Sequence, residues 1–211
     1  MIGTIPATGA MYWSQTEMAW LGIFFGLPDG RQYCRYELTW KGKAPEDAAK
    51  DIAGFRRLVV PTLGSIFAQP ALWPDDEDAG GPSIASVFAD GGVNLRKGND
   101  DRINGWSRVR SWLRPRLYHG EPSPGLIVHP VCQRLIRTLP ALVSSDRDPD
   151  DVADTPLAYP ANALRFFVMG TPPPWIPPVL PEPPPGTWGH ELKKFFRPPS
   201  RVYVGHDLVK R

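Results

Sequence analysis

The chain has 211 residues, enough for one domain of ordinary size plus further segments, and its hydrophobic content of 42% can build a core. The net charge of +2 excludes a protein that binds nucleic acid through bulk charge alone. No run approaches the roughly 20 apolar residues of a membrane span, and the N-terminal MIGTIPATGAM lacks the charged and apolar regions of a secretory signal.

Residues 19–26 are aromatic and β-branched enough for a buried strand, and residues 32–40 follow as its antiparallel partner. Between them Pro28-Asp29-Gly30 supplies the turn: Pro fixes φ and Gly accepts a positive one. A helix opens at Lys43-Ala44-Pro45-Glu46-Asp47, where Pro suits the first turn and the acids suit the helix dipole. Ala48, Ile52, Phe55 and Leu58 recur at helical spacing and are expected to pack on the sheet. Residues 65–68 read as a short buried strand ended by Gln69-Pro70, and residues 73–82 as an acidic, Gly-rich loop.

A short helix follows at 83–89, stopped by Gly91-Gly92, with a strand expected at 93–95. The helix expected at 101–113 carries Ile103, Trp106, Val109 and Leu113 on its inner face. Residues 126–128 read as a strand, 131–142 as a helix, and 161–169 as the last helix. Antiparallel strands followed by βα alternation predict an α/β fold with a mixed sheet and helices on its faces; an RNase H-like fold has this order. From residue 170 to 188 the segment is too rich in proline for helix or central strand and reads as an extended linker. A basic tail, 189–211, follows with Lys193, Lys194, Arg197, Arg201, Lys210 and Arg211.

Cys34 and Cys132 form no CxxC pair and read as two reduced core thiols, since zinc needs more soft ligands. His119, His129, His190 and His206 lie at no metal-binding spacing, and no GxSxG nucleophile motif occurs.

The segment AYPANALRFF, residues 158–167, resembles the last helix of the nuclease domain of phage terminase large subunits. That family carries an acidic residue, then His, two variable residues, Asp-Ala, a variable residue, Arg and an aromatic. Ala163, Leu164, Arg165 and Phe166 keep the frame, while Ala158, Tyr159 and Asn162 stand at the acidic, His and Asp positions. Three further stretches are similar to the same family. Tyr12 precedes Trp13-Ser14 in an opening hairpin where the family has Asp. Gln69-Pro70 stands where it tends to have Asp-Pro. Gly81-Pro82-Ser83, Asn99-Asp100-Asp101-Arg102 and Gly105-Trp106 complete the likeness. It covers about residues 9–169, and no GxxxxGK[ST] phosphate loop is present.

The resemblance implies an RNase H-like nuclease-like domain over 1–169, resident in the host cytoplasm. Its family role is metal-dependent cutting of concatemeric viral DNA during packaging, with double-stranded DNA, a portal and a terminase small subunit as partners. It also implies two Mg²⁺ or Mn²⁺ ions if the chain is active. The matching ligand positions are Tyr12, Gln69 and Asn162, none of them charged at neutral pH, which implies that no metal is held tightly and that catalysis is impaired. If other acids serve instead, the candidates are Glu17, the run Asp75-Asp76-Glu77-Asp78, and Asp151 or Asp154. For Asp148, Asp150, Asp151 and Asp154, turn and capping roles are favoured.

Losing cleavage need not lose binding. Arg96, Lys97, Arg102, Arg108 and Arg110 form the candidate DNA contact, with Arg114 and Arg116 nearby; Arg102, Arg108 and Arg110 are expected on or beside the outer helix face. Lys193, Lys194 and Arg197 are a second basic candidate. Two readings follow: a terminase nuclease domain, or a non-catalytic DNA- or protein-binding assembly module on the same scaffold.

Overall fold

The computed structural model describes residues 5–73, 81–118, 121–172 and 185. The acidic run 75–78, His119, His190, His206, most of the proline-rich segment and the basic tail lie outside those residues.

Three strands open the chain: β1 (Ala7–Tyr12), β2 (Met18–Gly26) and β3 (Gln32–Lys41). The expected hairpin is β2–β3, turned at Gly30 with φ 83°. β1 was not expected, because ATGAMY lacks the bulky β-branched pattern of a strand. It is a strand because it runs between β2 and the later β4 (Leu63–Ala68), where small side chains allow close approach. At Gly9, a β-carbon would meet the Ile66 side chain at 2.6 Å.

Helix α1 (Pro45–Leu58) joins β3 to β4. Then come α2 (Ile84–Asp90), β5 (Leu95–Lys97), α3 (Arg102–Leu113), the small hairpin β6 (Arg116–Tyr118) and β7 (Glu121–Ser123), β8 (Leu126–Val128), α4 (Gln133–Thr138) and α5 (Tyr159–Gly170). β5 begins two residues later than its expected start, and the β6–β7 hairpin was not expected. The helix expected over 131–142 is shorter, with a 3₁₀ turn at Leu139–Ala141 behind it.

The main sheet has the order β5-β4-β1-β2-β3-β8. β1 and β3 are antiparallel to β2, while β4, β5 and β8 run parallel to their neighbours. This is the expected mixed sheet with helices on both faces. β2 explains the layering: Leu21, Ile23 and Phe25 enter one core with α1 and α2, while Trp20 and Phe24 enter the other with α3, α4 and α5. A strand buried on both sides reads as a continuous apolar run, as MAWLGIFFG does.

Two helix faces differ from the spacing. On α1, Ala48 and Ile52 are buried, but Leu58 is 77% exposed, because the last turn rotates past the sheet. On α3, Ile103 points outward and Trp112 inward, so the inner face is Gly105, Trp106, Val109 and Trp112.

Helix α5 is central. Every residue from Pro160 to Val168 is buried, since the helix lies against β1, β2 and β4 and is flanked by α3 and α4. Cys34 and Cys132, distant in sequence, meet with their sulfurs 3.8 Å apart as free, fully buried thiols. Burial pushes the Cys34 thiol well above its usual range. Close by, the Glu37 carboxylate accepts the Trp20 indole N–H at 2.9 Å and the α4 backbone N–H groups of Arg134 and Leu135 at 2.8 and 3.2 Å.

Candidate functional site

β1 and β4 are adjacent and parallel, with Met11 opposite Ala68. Tyr12 and Gln69 therefore stand side by side at the carboxyl ends of two neighbouring strands. In open α/β sheets that is where ligands and chemistry collect. The first turn of α5 comes to the same place: the Tyr12 and Tyr159 rings stack with centroids 4.3 Å apart and planes 18° from parallel. Asn162 lies one turn further along α5. Tyr12, Gln69 and Asn162 are thus gathered at one end of the sheet from three separate elements.

Each is differently engaged. The Gln69 amide is spent on the backbone, its Oε1 accepting the Trp13 N–H at 2.8 Å and its Nε2 donating to the Trp13 carbonyl at 2.6 Å. It continues the β1–β4 ladder by one side-chain rung. Burial first, then Asp154 and Asp100, push the Tyr12 hydroxyl up, with Arg102 and Arg165 opposing. Tyr159 donates to the Glu17 carboxylate at 2.6 Å, and that bond, ahead of burial, pushes its pKa up to about 12. Both phenols are neutral at pH 7. Asn162 is 3% exposed, and its Oδ1 has no partner.

The neighbouring acids are also engaged. Asp151 accepts Arg102 Nε through both oxygens at 2.9 and 3.0 Å, the Trp106 indole N–H at 2.9 Å and its neighbour Val152 N–H at 2.7 Å. Partial burial opposes ionisation there, but these bonds hold the carboxyl below its usual range. Asp154 accepts Arg102 Nη1 at 3.0 Å, and Asp100 accepts Arg165 Nη2 at 2.8 Å. Asp148 does take a turn role, accepting the Asp150 N–H at 2.9 Å. Asp151 does more, fastening the loop before α5 to α3.

Arg165 is 1% exposed, with its guanidinium 4.6 Å from the Phe166 ring centroid and 5.9 Å from that of Trp106. Its stem fills the space over Gly105, where a β-carbon would meet Cγ at 2.5 Å. Its Nε and Nη1 have no hydrogen-bond partner.

Arg102 and Arg108 do not stand free on the outer face of α3. Arg102 is held by Asp151, Asp154 and the Val152 carbonyl, because the loop before α5 folds across the start of α3. Arg108 reaches the Thr171 carbonyl at 2.8 Å, complementing the negative end of α5. Arg110 is exposed, touching the Asp150 carbonyl at 3.1 Å. On β5, whose last residue is Lys97, the Arg96 guanidinium lies 5.3 Å from the centroid of the Phe67 ring of β4.

Sequence spacing did not reveal the pairs Tyr159 with Glu17 and Arg165 with Asp100. The partners are far apart along the chain, 142 residues for Tyr159 and Glu17 and 65 for Arg165 and Asp100. The retained Arg of the last-helix pattern was the one available signal.

No protein-family model matches the sequence, and no curated protein matches it. Solved structures do match in shape. The nuclease domain of the P22 large terminase superposes with a TM-score of 0.59 at 11% identity, covering 80% of this chain and 82% of that one. The fold is that of a terminase nuclease domain. The large terminase of a thermophilic bacteriophage, in complex with ADP, gives a TM-score of 0.60 at 14% identity over 77% of this chain. The chain spans 39% of that larger protein's length. At these identities the likeness is one of fold.

Proposed function

We propose that this chain serves phage DNA packaging as a terminase nuclease scaffold that no longer cuts. The observation that carries the reading is the Gln69 amide, bonded at both its oxygen and its nitrogen to the Trp13 backbone, beside a Tyr12 ring stacked on Tyr159. Two-metal cleavage needs a pair of divalent ions about 4 Å apart, held by several carboxylates. Tyr12, Gln69 and Asn162 offer none. The nearby acids Glu17, Asp100, Asp151 and Asp154 are bonded to Tyr159, Arg165 and Arg102. Among the described residues, no group of three His, Cys, Asp or Glu could hold a metal ion. The residues present do not fit a pair of Mg²⁺ or Mn²⁺ ions.

In this reading the chain contacts double-stranded DNA through Arg96, Lys97 and Arg110, and works alongside a portal and a terminase small subunit. Phosphate contacts of this kind are steeply salt-dependent and largely indifferent to sequence. No helix among the described residues is long and apolar enough to cross a membrane.

The test is purified protein with supercoiled plasmid and either Mg²⁺ or Mn²⁺, paired with calorimetric Mn²⁺ titration. The expected result is intact plasmid and no tight metal binding; efficient metal-dependent cutting sinks the proposal. Tyr12→Asp, Gln69→Asp and Asn162→Asp together are expected to create Mn²⁺ binding if these are the ligand positions.

A further inference from the structure

The end of the sheet opposite Tyr12 and Gln69 carries a second feature. An open cleft of about 390 Å³ lies there, lined by Ala53, Arg56, Arg57, Pro61 and Gly92. Its size is within the range of binding sites, roughly 300–1,000 Å³. It sits between the last turn of α1, the approach to β4 and the turn after α2. The chain enters β1 beside it, where the Thr62 hydroxyl donates to the Ile5 carbonyl at 2.7 Å.

Two properties coincide at its lip. Arg56 and Arg57 are exposed, and neither takes part in a salt bridge among the described residues. The acids of α1 lie in its first half, where Asp47 pairs with Lys50 and Asp51 with Lys43. On α2, the acid nearest this end is the exposed Asp90. Directly after the two arginines, Leu58 is 77% exposed and Val59 46%, although the spacing of α1 would send Leu58 into the core. Arginine is enriched in protein interfaces, its guanidinium fork matches a carboxylate, and the uncovered Leu58 and Val59 beside it leave apolar area for a partner to bury.

We infer that this ledge, Arg56 to Val59 with its cleft, docks an acidic segment of a protein partner that also presents an aliphatic side chain. Charge complementarity selects the acid, and the exposed Leu58-Val59 pair selects the aliphatic anchor. Duplex DNA is the poorer occupant, because its phosphates satisfy arginine but leave Leu58 and Val59 uncovered. The site lies at the opposite end of the sheet from Tyr12 and Gln69, and so stands independently of the reading offered for them.

Fluorescence anisotropy on the full chain tests it with four labelled probes: a Glu/Leu helical peptide, a Glu/Ser peptide of equal charge, a Lys/Leu peptide, and a 20-base-pair duplex. The Glu/Leu peptide is expected to bind at least tenfold more tightly than either other peptide. Arg56→Glu with Arg57→Glu should weaken it at least tenfold, and Leu58→Ser with Val59→Ser several-fold; all four side chains are exposed, so the chain stays folded, with a small fall in thermal stability for the Glu pair because it sits at the negative end of α1. Equal binding of the Glu/Ser peptide, no peptide binding, or a duplex that binds more tightly through Arg56 and Arg57 overturns the inference.

Discussion

Two polar regions meet at α5 and are built differently. At the carboxyl ends of β1 and β4, Gln69 pairs with backbone and Tyr12 stacks on Tyr159. Between α3 and α5, the same need to satisfy polar groups is met by charge: Arg102 with Asp151 and Asp154, and Arg165 with Asp100. The first arrangement depends on geometry and little on ionic strength. The second depends on ionisation, and its exposed members are screened by salt. Neutral residues can therefore occupy the end of a sheet in an ordered arrangement, as Gln69 and Tyr12 do, even beside the unpartnered Oδ1 of Asn162.

The comparison breaks most sharply at Arg165. Arg165→Ala removes a fully buried stem packed on Gly105, Trp106 and Phe166, and should cost about 2–5 kcal/mol in urea unfolding from the cavity it leaves. Arg165→Met, which keeps the bulk, should recover much of that loss and so separate packing from charge. On the neutral side, Gln69→Ala strands the Trp13 N–H and carbonyl and should cost about 2 kcal/mol, with no dependence on salt.

A smaller effect tests the charged side. Asp151→Asn weakens the hold on Arg102 and should cost about 1–2 kcal/mol. The folded carboxyl is depressed, so its stabilisation is present above the unfolded pKa and fades as pH falls through the folded value. Wild type should accordingly lose part of its advantage over Asp151→Asn on acid titration.

The smallest effect belongs to Tyr159→Phe, about 1 kcal/mol at pH 7 from the lost bond to Glu17. The folded pKa, about 12, lies above the ordinary value of 10.0. Its contribution is complete below the unfolded pKa and is lost as pH rises through the folded one. The variant should therefore show a flatter alkaline decline, followed by tyrosinate absorbance alongside circular dichroism.

The fold was legible where local chemistry and tertiary environment agree. The β2–β3 hairpin carried both its apolar runs and its turn residues, and the last helix kept its Ala-x-Arg-aromatic frame. β1 was hidden because a central strand squeezed between two neighbours needs small residues, which carry no strand signal. Leu58 and Ile103 misled because helical spacing gives a face but not where the face ends. At the candidate site, the sequence supplied the residue identities Tyr12, Gln69 and Asn162. It could not supply the partners, since Gln69 meets Trp13 across 56 residues and Arg102 meets Asp151 across 49.

The buried thiols of Cys34 and Cys132 join β3 to the start of α4 without a disulfide, the Cys132 thiol donating to the Cys34 carbonyl at 3.6 Å. Sealed from solvent and with Cys34 kept protonated, neither meets an alkylating reagent while the sheet and its helices stay together. Their labelling rate is a built-in clock for how often the inner layers part.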